Sequence, residues 1–204
     1  MTQATILTIG HSNHSIEKFL ELISNSGIDM VVDVRSAPFS RMFPHYNQEN
    51  LKKSLAKNSI GYLFLGDYIG GRSNDPEDYV DGQVVYRLLA KKESFKTGLG
   101  KLKDGSSKHR IAIMCSEKEP LDCHRTLLVS EALAEMGINV EHIHADGYIE
   151  SHGDALTRLL KLHNLSSPDL FSDDSERLQE ALTLQEKKIA FQLLKPNGAR
   201  EEFE

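Results

Sequence analysis

A chain of 204 residues with 39% hydrophobic and 26% charged residues has the length and composition of a globular domain with a substantial core. The net charge of −6 argues against broad electrostatic binding to nucleic acid, although residues 33–72 carry a local balance of +3. Two cysteines cannot build a disulfide framework, and no apolar run approaches the roughly 20 residues of a membrane span. We therefore expect a cytoplasmic protein with reduced thiols and no membrane association.

The predicted elements alternate between strands and helices. A β-branched run at 5–10 predicts the first strand, and the apolar periodicity between Ser15 and Gly27 predicts an amphipathic helix. The later strands are expected at 28–34, 60–65, 110–114 and 139–144. The later helices are expected at about 47–58, 84–102, 123–136, 154–162 and 176–194. The second of these is expected to have a break near Lys92 or Gly98, and residues 66–79 are expected to form a long loop. Nearly continuous apolar strands are typical of a parallel sheet that is buried on both faces.

This alternation predicts an α/β fold with three layers, in which helices flank a mostly parallel sheet and a C-terminal helical extension follows. We place a single α/β domain at residues 1–163 and a linker plus C-terminal helix at residues 164–204. The apolar stripe of that helix is expected to dock on the domain or on a second copy of the chain, which would give a homodimer.

Polar residues follow the predicted strands at their carboxyl ends, where open α/β sheets bind their ligands. They are His11 and Ser12, Asp33 and Arg35, Asp67, Cys115 and Glu117, and His144 and Asp146. The sequence therefore predicts a functional cleft along this edge of the sheet.

Both cysteines lie in one short segment that combines a thiol pair with cations. A predicted strand ends at Cys115, a polar loop follows, and Cys123-His124-Arg125 stands where a helix should begin. The positive end of a helix and nearby cations stabilise a thiolate or another anion. The segment is thus suited to a reactive thiol or an anion site, although a small buried thiol beside a surface arginine is an alternative interpretation.

Several motifs occur in the order seen in a known family. They are Gly10-His11-Ser12, Val32-Asp33-Val34-Arg35 with Pro38 and Arg41, Gly70-Gly71-Arg72, Met114-Cys115-Ser116-Glu117 and Cys123-His124-Arg125. From about residue 5 to residue 147 the chain resembles the domain of unknown function 488 family. The resemblance implies a compact α/β domain with these motifs at its site, and it implies no particular reaction.

A fainter likeness links the chain to the rhodanese fold and its phosphatase relatives. In those enzymes a cysteine begins a short anion-binding loop that an arginine closes, whereas here Arg125 follows Cys115 by ten residues, with a proline and a second cysteine between them. Sulfur or phosphoryl transfer through Cys115 is therefore a hypothesis by analogy.

The leading hypothesis is a cysteine-dependent enzyme that acts on a phosphorylated or nucleotide-like substrate in an anion-binding cleft. Its catalytic residues would be Cys115 as the reacting thiol and Glu117 and His124 as proton carriers. Its ligand-binding residues would be His11, Ser12, Asp33, Arg35, Arg41, Gly70, Gly71, Arg72, Cys123 and Arg125, with arginines holding the anion and Cys123 resolving or pairing with Cys115.

The alternative hypothesis is a non-catalytic module that binds a nucleic acid or an anionic metabolite and uses its cysteines as structural or redox-sensing groups. Net charge disfavours the nucleic acid in either case. The run C-x7-C-H matches no standard metal site, so we expect no metal, and the absence of G-x-x-x-x-G-K-[ST] and G-x-G-x-x-G leaves the cofactor unknown.

Overall fold

The structure is a computed structural model that describes residues 5–167 and 173–193. Its strands are β1 (Thr5–Gly10), β2 (Met30–Asp33), β3 (Gly61–Phe64), β4 (Tyr79–Val80), β5 (Gln83–Val84), β6 (Ile111–Cys115), β7 (Asn139–Ile143) and β8 (Ile149–Ser151). Its α-helices are α1 (Ile16–Asn25), α2 (Gln48–Lys57), α3 (Gly66–Ile69), α4 (Tyr86–Leu89), α5 (Glu93–Ser106), α6 (Glu131–Glu135), α7 (His152–Leu162) and α8 (Asp174–Ile189). A π-helical turn, Arg125–Ser130, precedes α6.

The main sheet has the strand order β3-β2-β6-β1-β7-β8, and β4 and β5 form a separate hairpin. The first five strands in this order run parallel, and β8 pairs antiparallel with β7 at the edge. In register, Gly10 pairs with Cys115 and Asp33 pairs with Met114. The carboxyl ends of β1, β2 and β6 therefore lie side by side in the middle of the sheet.

Helices cover both faces of the sheet, which confirms the three-layer α/β fold. Leu7 and Met114 face one cluster of buried residues, which includes Phe19 of α1 and Leu51 of α2. The other cluster receives side chains from α5, α7 and α8, and Cys115 points into it. Since successive side chains of a strand alternate between faces, Cys115 lies on the face opposite to Met114, towards the turn that begins after Cys123.

Three predicted boundaries differ from those observed. β8 was not predicted because its three residues carry no apolar alternation, and pairing with the edge of β7 defines it instead. The helix expected at 84–102 is divided into α4 and α5, with the break near Lys92 confirmed, since the backbone of Lys92 is extended between them. Its expected first residue, Val84, belongs to β5 instead. The segment expected as a loop at 66–79 contains α3 and a 3₁₀ turn.

The helix expected at 176–194 is α8, which begins at Asp174 because the Asp173 side chain caps it. Gln185 donates from Nε2 to the Leu121 carbonyl at 3.1 Å, and Glu186 accepts from the backbone N–H of Tyr86 at 2.8 Å. The helix thus packs on its own α/β domain. The expected extension of this helix to residue 194 is wrong, because α8 ends at Ile189 and the backbone of Ala190 that follows it is extended. The homodimer stays a prediction, and residues 168–172 of the linker predicted at 164–175 lie outside the described residues, as does Leu194.

Within the described chain, every helix is too short or too polar to cross a bilayer.

Candidate active site

Two thiols, a carboxyl and an imidazole meet beyond the carboxyl end of β6. We call this group, formed by Cys115, Glu117, Cys123 and His124, the thiol cluster. Cys115 is the last residue of β6, and Cys123 and His124 directly precede the π-helical turn. The 3₁₀ turn Pro120–Asp122 lies between them and reverses the chain, so that Cys123 and His124 lie next to the end of β6. Residues eight apart in the chain therefore face one another across a short loop.

Glu117 connects the two sulfurs. Its Oε2 atom lies 3.0 Å from the Sγ atom of Cys115 and 3.0 Å from the Sγ atom of Cys123, so either thiol can donate a hydrogen bond to it. Glu117 is exposed as a whole residue, but this oxygen points inward to the sulfurs. Both cysteines are free thiols, with only 3% and 1% of their surface exposed.

His124 faces the same two sulfurs with one ring nitrogen. Its Nδ1 atom is 3.6 Å from Cys115 Sγ and 3.9 Å from Cys123 Sγ, while Nε2 lies 3.0 Å from the Val34 carbonyl oxygen. Because a carbonyl only accepts, Nε2 carries a proton, and Nδ1 is the atom available to the sulfurs. Gly71 packs directly on this ring, since a Cβ there would stand 2.7 Å from His124 Cγ.

The electrostatics of the thiol cluster favour a negative charge on Cys123. Burial raises the pKa of Cys115, and its neighbours Cys123 and Glu117 raise it further. Burial would also raise the pKa of Cys123, but the hydrogen bond from Cys115 and the positive charge of Arg125 outweigh it and lower this pKa well below its ordinary value. The backbone N–H of Arg125 also donates to the Cys123 sulfur at 3.4 Å.

The two acid–base side chains of the thiol cluster respond to that charge. Burial opposes protonation of His124, yet the hydrogen bond and the charge of Cys123 outweigh it, so the pKa of His124 is raised. Burial and the Cys123 charge raise the pKa of Glu117. These shifts favour a thiolate on Cys123 beside a protonated His124 imidazole, and they favour retention of a proton on Glu117, so a nucleophile and proton donors lie together.

Arg125 lies behind the loop of the thiol cluster and not in the cleft. Its side chain is fully buried, with Nη1 donating to the Glu117 carbonyl at 2.7 Å and Nη2 to the Lys118 carbonyl at 3.4 Å. Gly10 allows this loop to approach β1, because a Cβ at that position would be 1.8 Å from the Glu117 carbonyl oxygen. Arg125 therefore holds the loop in place and adds positive charge beneath Cys123.

Arg35 is held by a buried network at the ends of β1 and β2. Its guanidinium binds Asp33 at 2.6 and 2.9 Å and the Tyr46 carbonyl at 2.8 Å, and Tyr62 donates to Asp33 at 2.8 Å. His11 Nδ1 donates to the Ser12 carbonyl at 2.8 Å, which leaves Nε2 as an acceptor for Arg35 Nη1 at 3.2 Å. Burial and the Arg35 charge lower the pKa of His11 to about 4, so the ring is neutral.

A cleft of about 170 Å³ opens directly over the thiol cluster. Its lining residues are Arg35, Ser36, Ala37, Gly71, Arg72, Tyr86, Cys115, Ser116, Glu117, Asp122, Cys123, His124, Ile189 and Phe191. A larger cavity of about 680 Å³ adjoins it and shares Ser36, Ala37, Arg72 and Phe191 with it. The two spaces together can hold a reacting group over the sulfurs and a larger part of the same molecule beside it.

Arg72 stands where the cleft and the larger cavity meet. Its guanidinium carbon lies 4.4 Å from the centre of the Phe191 ring, a cation–π contact. No carboxylate of the described chain forms an ion pair with Arg72, and the residue is exposed. Arg72 is thus a cation that can bind an anionic ligand without first breaking a salt bridge.

The structure brings most of the sequence-predicted residues to this region but separates a few of them. Arg41 is exposed on the loop after β2 and does not line the cleft. Ser12 adopts a left-handed φ of 50° and donates from its backbone to Ser116, so it supports the loop without lining the cleft. Gly70 lines the larger cavity, and a Cβ there would meet Ser36 Oγ at 2.3 Å.

Seven of the fourteen residues that line the cleft were not predicted as site residues, and three of these seven lie outside the segments that carry the predicted motifs. Tyr86 begins α4, and Ile189 and Phe191 come from the end of α8 and the segment after it. That segment pairs with β5, with the Val84 N–H donating to the Phe191 carbonyl at 2.9 Å. Ile189 and Phe191 are apolar and carry no chemical signal in the sequence, and only the tertiary docking of the C-terminal segment places them at the site.

Comparisons with known proteins place the chain in a family. No curated protein and no solved structure matches it, so the likeness to the rhodanese fold stays a prediction. A family model matches residues 15–132, more than half of the chain, and that span includes the whole thiol cluster, Arg35 and Arg72 but not His11. The chain belongs to the family described as domain of unknown function DUF488.

Proposed function

We propose that this protein is a cysteine-dependent enzyme that acts on a phosphorylated or nucleotide-like anion. The observation that carries the proposal is the position of the thiol cluster at the base of a cleft that Arg72 and Arg35 also line. Reactive sulfurs, proton carriers and cations seldom converge in one pocket without a ligand to serve. The dimensions of the cleft and the adjoining cavity suit a small anion with a larger attached group.

Arg72 is the principal anion-binding residue in this proposal. Its guanidinium can bind a phosphate or carboxylate with two parallel hydrogen bonds while its face remains on Phe191. Arg35 uses most of its donors on Asp33, Tyr46 and His11, so it contributes positive charge and orientation. Arg125 acts as a positioning residue for the loop that carries Glu117.

Cys123 is the reacting sulfur in this proposal and Cys115 is its hydrogen-bonding partner. The sequence alone favoured Cys115, but among the residues that the structure describes, Cys123 is the one cysteine that receives a backbone N–H donor, from Arg125. With the thiol proton already on His124 Nδ1, the Cys123 thiolate forms a bond to the electrophilic centre of the substrate, and the leaving group departs with the bonding electrons and with the proton of His124. Water then attacks the adduct, and the sulfur leaves as a thiol again.

The non-catalytic alternative is favoured by one observation, the near-complete burial of both sulfurs beside each other. In that case the thiols would be structural or would form a reversible disulfide, and the cleft would bind a nucleic acid end or an anionic metabolite. Either function suits the cytoplasm, where reducing conditions keep thiols free. A homodimer through α8 remains part of this proposal, in which α8 contributes Ile189 to the cleft wall of its own chain.

The test is a thermal-shift screen of nucleotides, phosphosugars and sulfur donors, followed by mass spectrometry of the intact protein. A true ligand at about 100 times its Kd stabilises the fold by roughly 2.7 kcal/mol. We expect Arg72→Ala to abolish this shift and Arg87→Ala, an exposed arginine outside the cleft, to preserve it.

The catalytic step is tested on the ligand that the screen identifies. Cys123→Ser is expected to lower turnover on the order of 10³-fold or more while ligand binding persists. Turnover that survives Cys123→Ser and falls with Cys115→Ser would move the reacting sulfur to Cys115. Ligand binding without any turnover or adduct in the wild-type protein would establish the non-catalytic alternative.

A further inference from the structure

We propose that Cys115, Cys123 and His124 form a binding site for one thiophilic divalent metal ion, with Zn²⁺ as the probe. The two sulfurs and a nitrogen of His124 lie within 4.8 Å of one another, and all three residues are buried. This inference does not rest on the proposed enzyme function, because metal binding is measured without a substrate. An ion on both sulfurs would block thiol chemistry, so the metal-bound form would be a masked state of the same site.

The nitrogen–sulfur distances in the thiol cluster match those between the ligands of a tetrahedral ion. Zn–S bonds of about 2.3 Å and Zn–N bonds of about 2.0–2.1 Å place sulfur and nitrogen ligands about 3.6 Å apart. The observed separations of His124 Nδ1 from the sulfurs of Cys115 and Cys123 are 3.6 and 3.9 Å. The His124 nitrogen therefore already lies within a few tenths of an ångström of its ligand distance from each sulfur, and both sulfurs lie within 4.8 Å of each other.

The surroundings of His124 support a ligand role. Histidine ligands of metals usually donate their second ring N–H to a carbonyl or a carboxylate, which fixes the ring. His124 Nε2 has such a partner in the Val34 carbonyl at 3.0 Å, and Gly71 supports the ring face. The Nδ1 atom is consequently directed at the two sulfurs before any ion arrives.

The three ligands leave a fourth coordination position that faces the cleft. Cys115, Cys123 and His124 all line this space, and Glu117 Oε2 lies beside both sulfurs. Three protein ligands with one open position are typical of zinc sites that accept water or a small molecule. The spacing of seven residues between the cysteines matches no standard metal-binding motif in the sequence. In the fold, the 3₁₀ turn Pro120–Asp122 lies between the two cysteines and brings their sulfurs close together.

The experiment is a titration of the reduced, metal-free full-length protein with Zn²⁺ in competition with a chromogenic chelator, and with Co²⁺ monitored by absorption. We expect about one equivalent to bind and Co²⁺ to show thiolate-to-cobalt charge transfer, because two sulfurs are ligands. Bound Zn²⁺ should also slow the alkylation of both cysteines. A folded, reduced wild-type protein that binds no ion, or whose Co²⁺ spectrum lacks charge transfer, would refute the site.

Variants assign the ligands. Cys115→Ser, Cys123→Ser and His124→Asn should each raise the Kd for Zn²⁺ by more than about 100-fold, since even the loss of an outer partner costs about 10–100-fold. His109→Gln is the matched control, because His109 is an exposed histidine far from the cleft. Circular dichroism verifies folding, and alkylation of the two wild-type thiols should abolish binding without any substitution. Affinity that persists in both cysteine variants would overturn the proposal even if the enzyme test succeeds.

Discussion

At the scale of single residues, the geometry of the thiol cluster depends on one glycine. Gly71 has an ordinary backbone conformation, so its role is space for the His124 ring and not a left-handed φ. In Gly71→Ala, the methyl group would meet His124 Cγ at 2.7 Å and Cβ at 2.9 Å. We expect urea denaturation to show a loss of about 1–3 kcal/mol of stability, the usual cost of overpacking.

Gly100 provides the matched control for this substitution. It lies within α5, and a Cβ there would meet no atom within 4 Å. Gly100→Ala should stabilise the protein by about 0.5–1 kcal/mol, since alanine is the better helix former. Equal effects of the two substitutions would mean that the His124 ring is not fixed by Gly71.

A second residue-scale prediction concerns pH. His142 is fully buried between Thr8 and His152, and burial together with the neighbouring positive charges lowers its pKa to about 2. In the unfolded chain His142 binds a proton below its ordinary pKa of about 6.5, whereas in the native state it stays neutral. Stability should therefore fall as the pH decreases from 6.5, by up to about 1.4 kcal/mol per pH unit for this group.

Replacing His142 tests whether this residue causes the predicted dependence of the unfolding free energy on pH. His142→Asn should flatten the dependence of unfolding free energy on pH between 6 and 5, whereas substitution of the exposed His109 should not. Proton NMR of the wild-type protein gives an independent measure, since the His142 ring should not titrate above pH 5. An imidazole at this position that titrates near 6.5 would contradict the predicted neutrality.

At the scale of elements, the wall of the cleft depends on the docking of α8. Gln185 is buried, and its amide donates to the Leu121 carbonyl at 3.1 Å and to Asp122 Oδ1 at 3.0 Å, next to Cys123. Gln185→Ala leaves these acceptors without a donor, and we expect a loss of about 1–3 kcal/mol in chemical denaturation. Gln179→Ala, on the exposed side of the same helix, should change stability by less than about 0.5 kcal/mol.

The elements also show which features were accessible from the sequence. Nearly continuous apolar runs predicted the central strands, and a period of 3.6 predicted the amphipathic helix α1, because these patterns arise from burial within one element. The π-helical turn and β8 depend on contacts with other elements, so their own residues carry little signal. In the same way the reactive residue types were apparent from Cys115 to His124, whereas the contribution of Phe191 required the tertiary fold.

At the scale of the whole molecule, an acidic protein carries two arginines in a small cleft. The net charge is −6, and Asp122 and Glu117 line the same cleft as Arg35 and Arg72, so a long polyanion would find few cations in the cleft and a net negative charge on the protein as a whole. Each cation that neutralises a phosphate of single-stranded nucleic acid adds about 0.7 to the slope of log affinity against log salt concentration. Two arginines therefore limit this slope to about −1.4.

We accordingly expect a fluorescently labelled single-stranded oligonucleotide to bind no more tightly than about 10⁻⁴ M at physiological salt, the weak end of non-specific binding. A mononucleotide or a phosphosugar that binds through Arg72 should show the shallow salt dependence and lose its affinity in Arg72→Ala. Fluorescence anisotropy for the oligonucleotide and calorimetry for the small ligand, each at several salt concentrations, measure both slopes. An oligonucleotide slope near −4 would require more phosphate contacts than the cleft provides and would favour a nucleic-acid-binding module over the proposed enzyme.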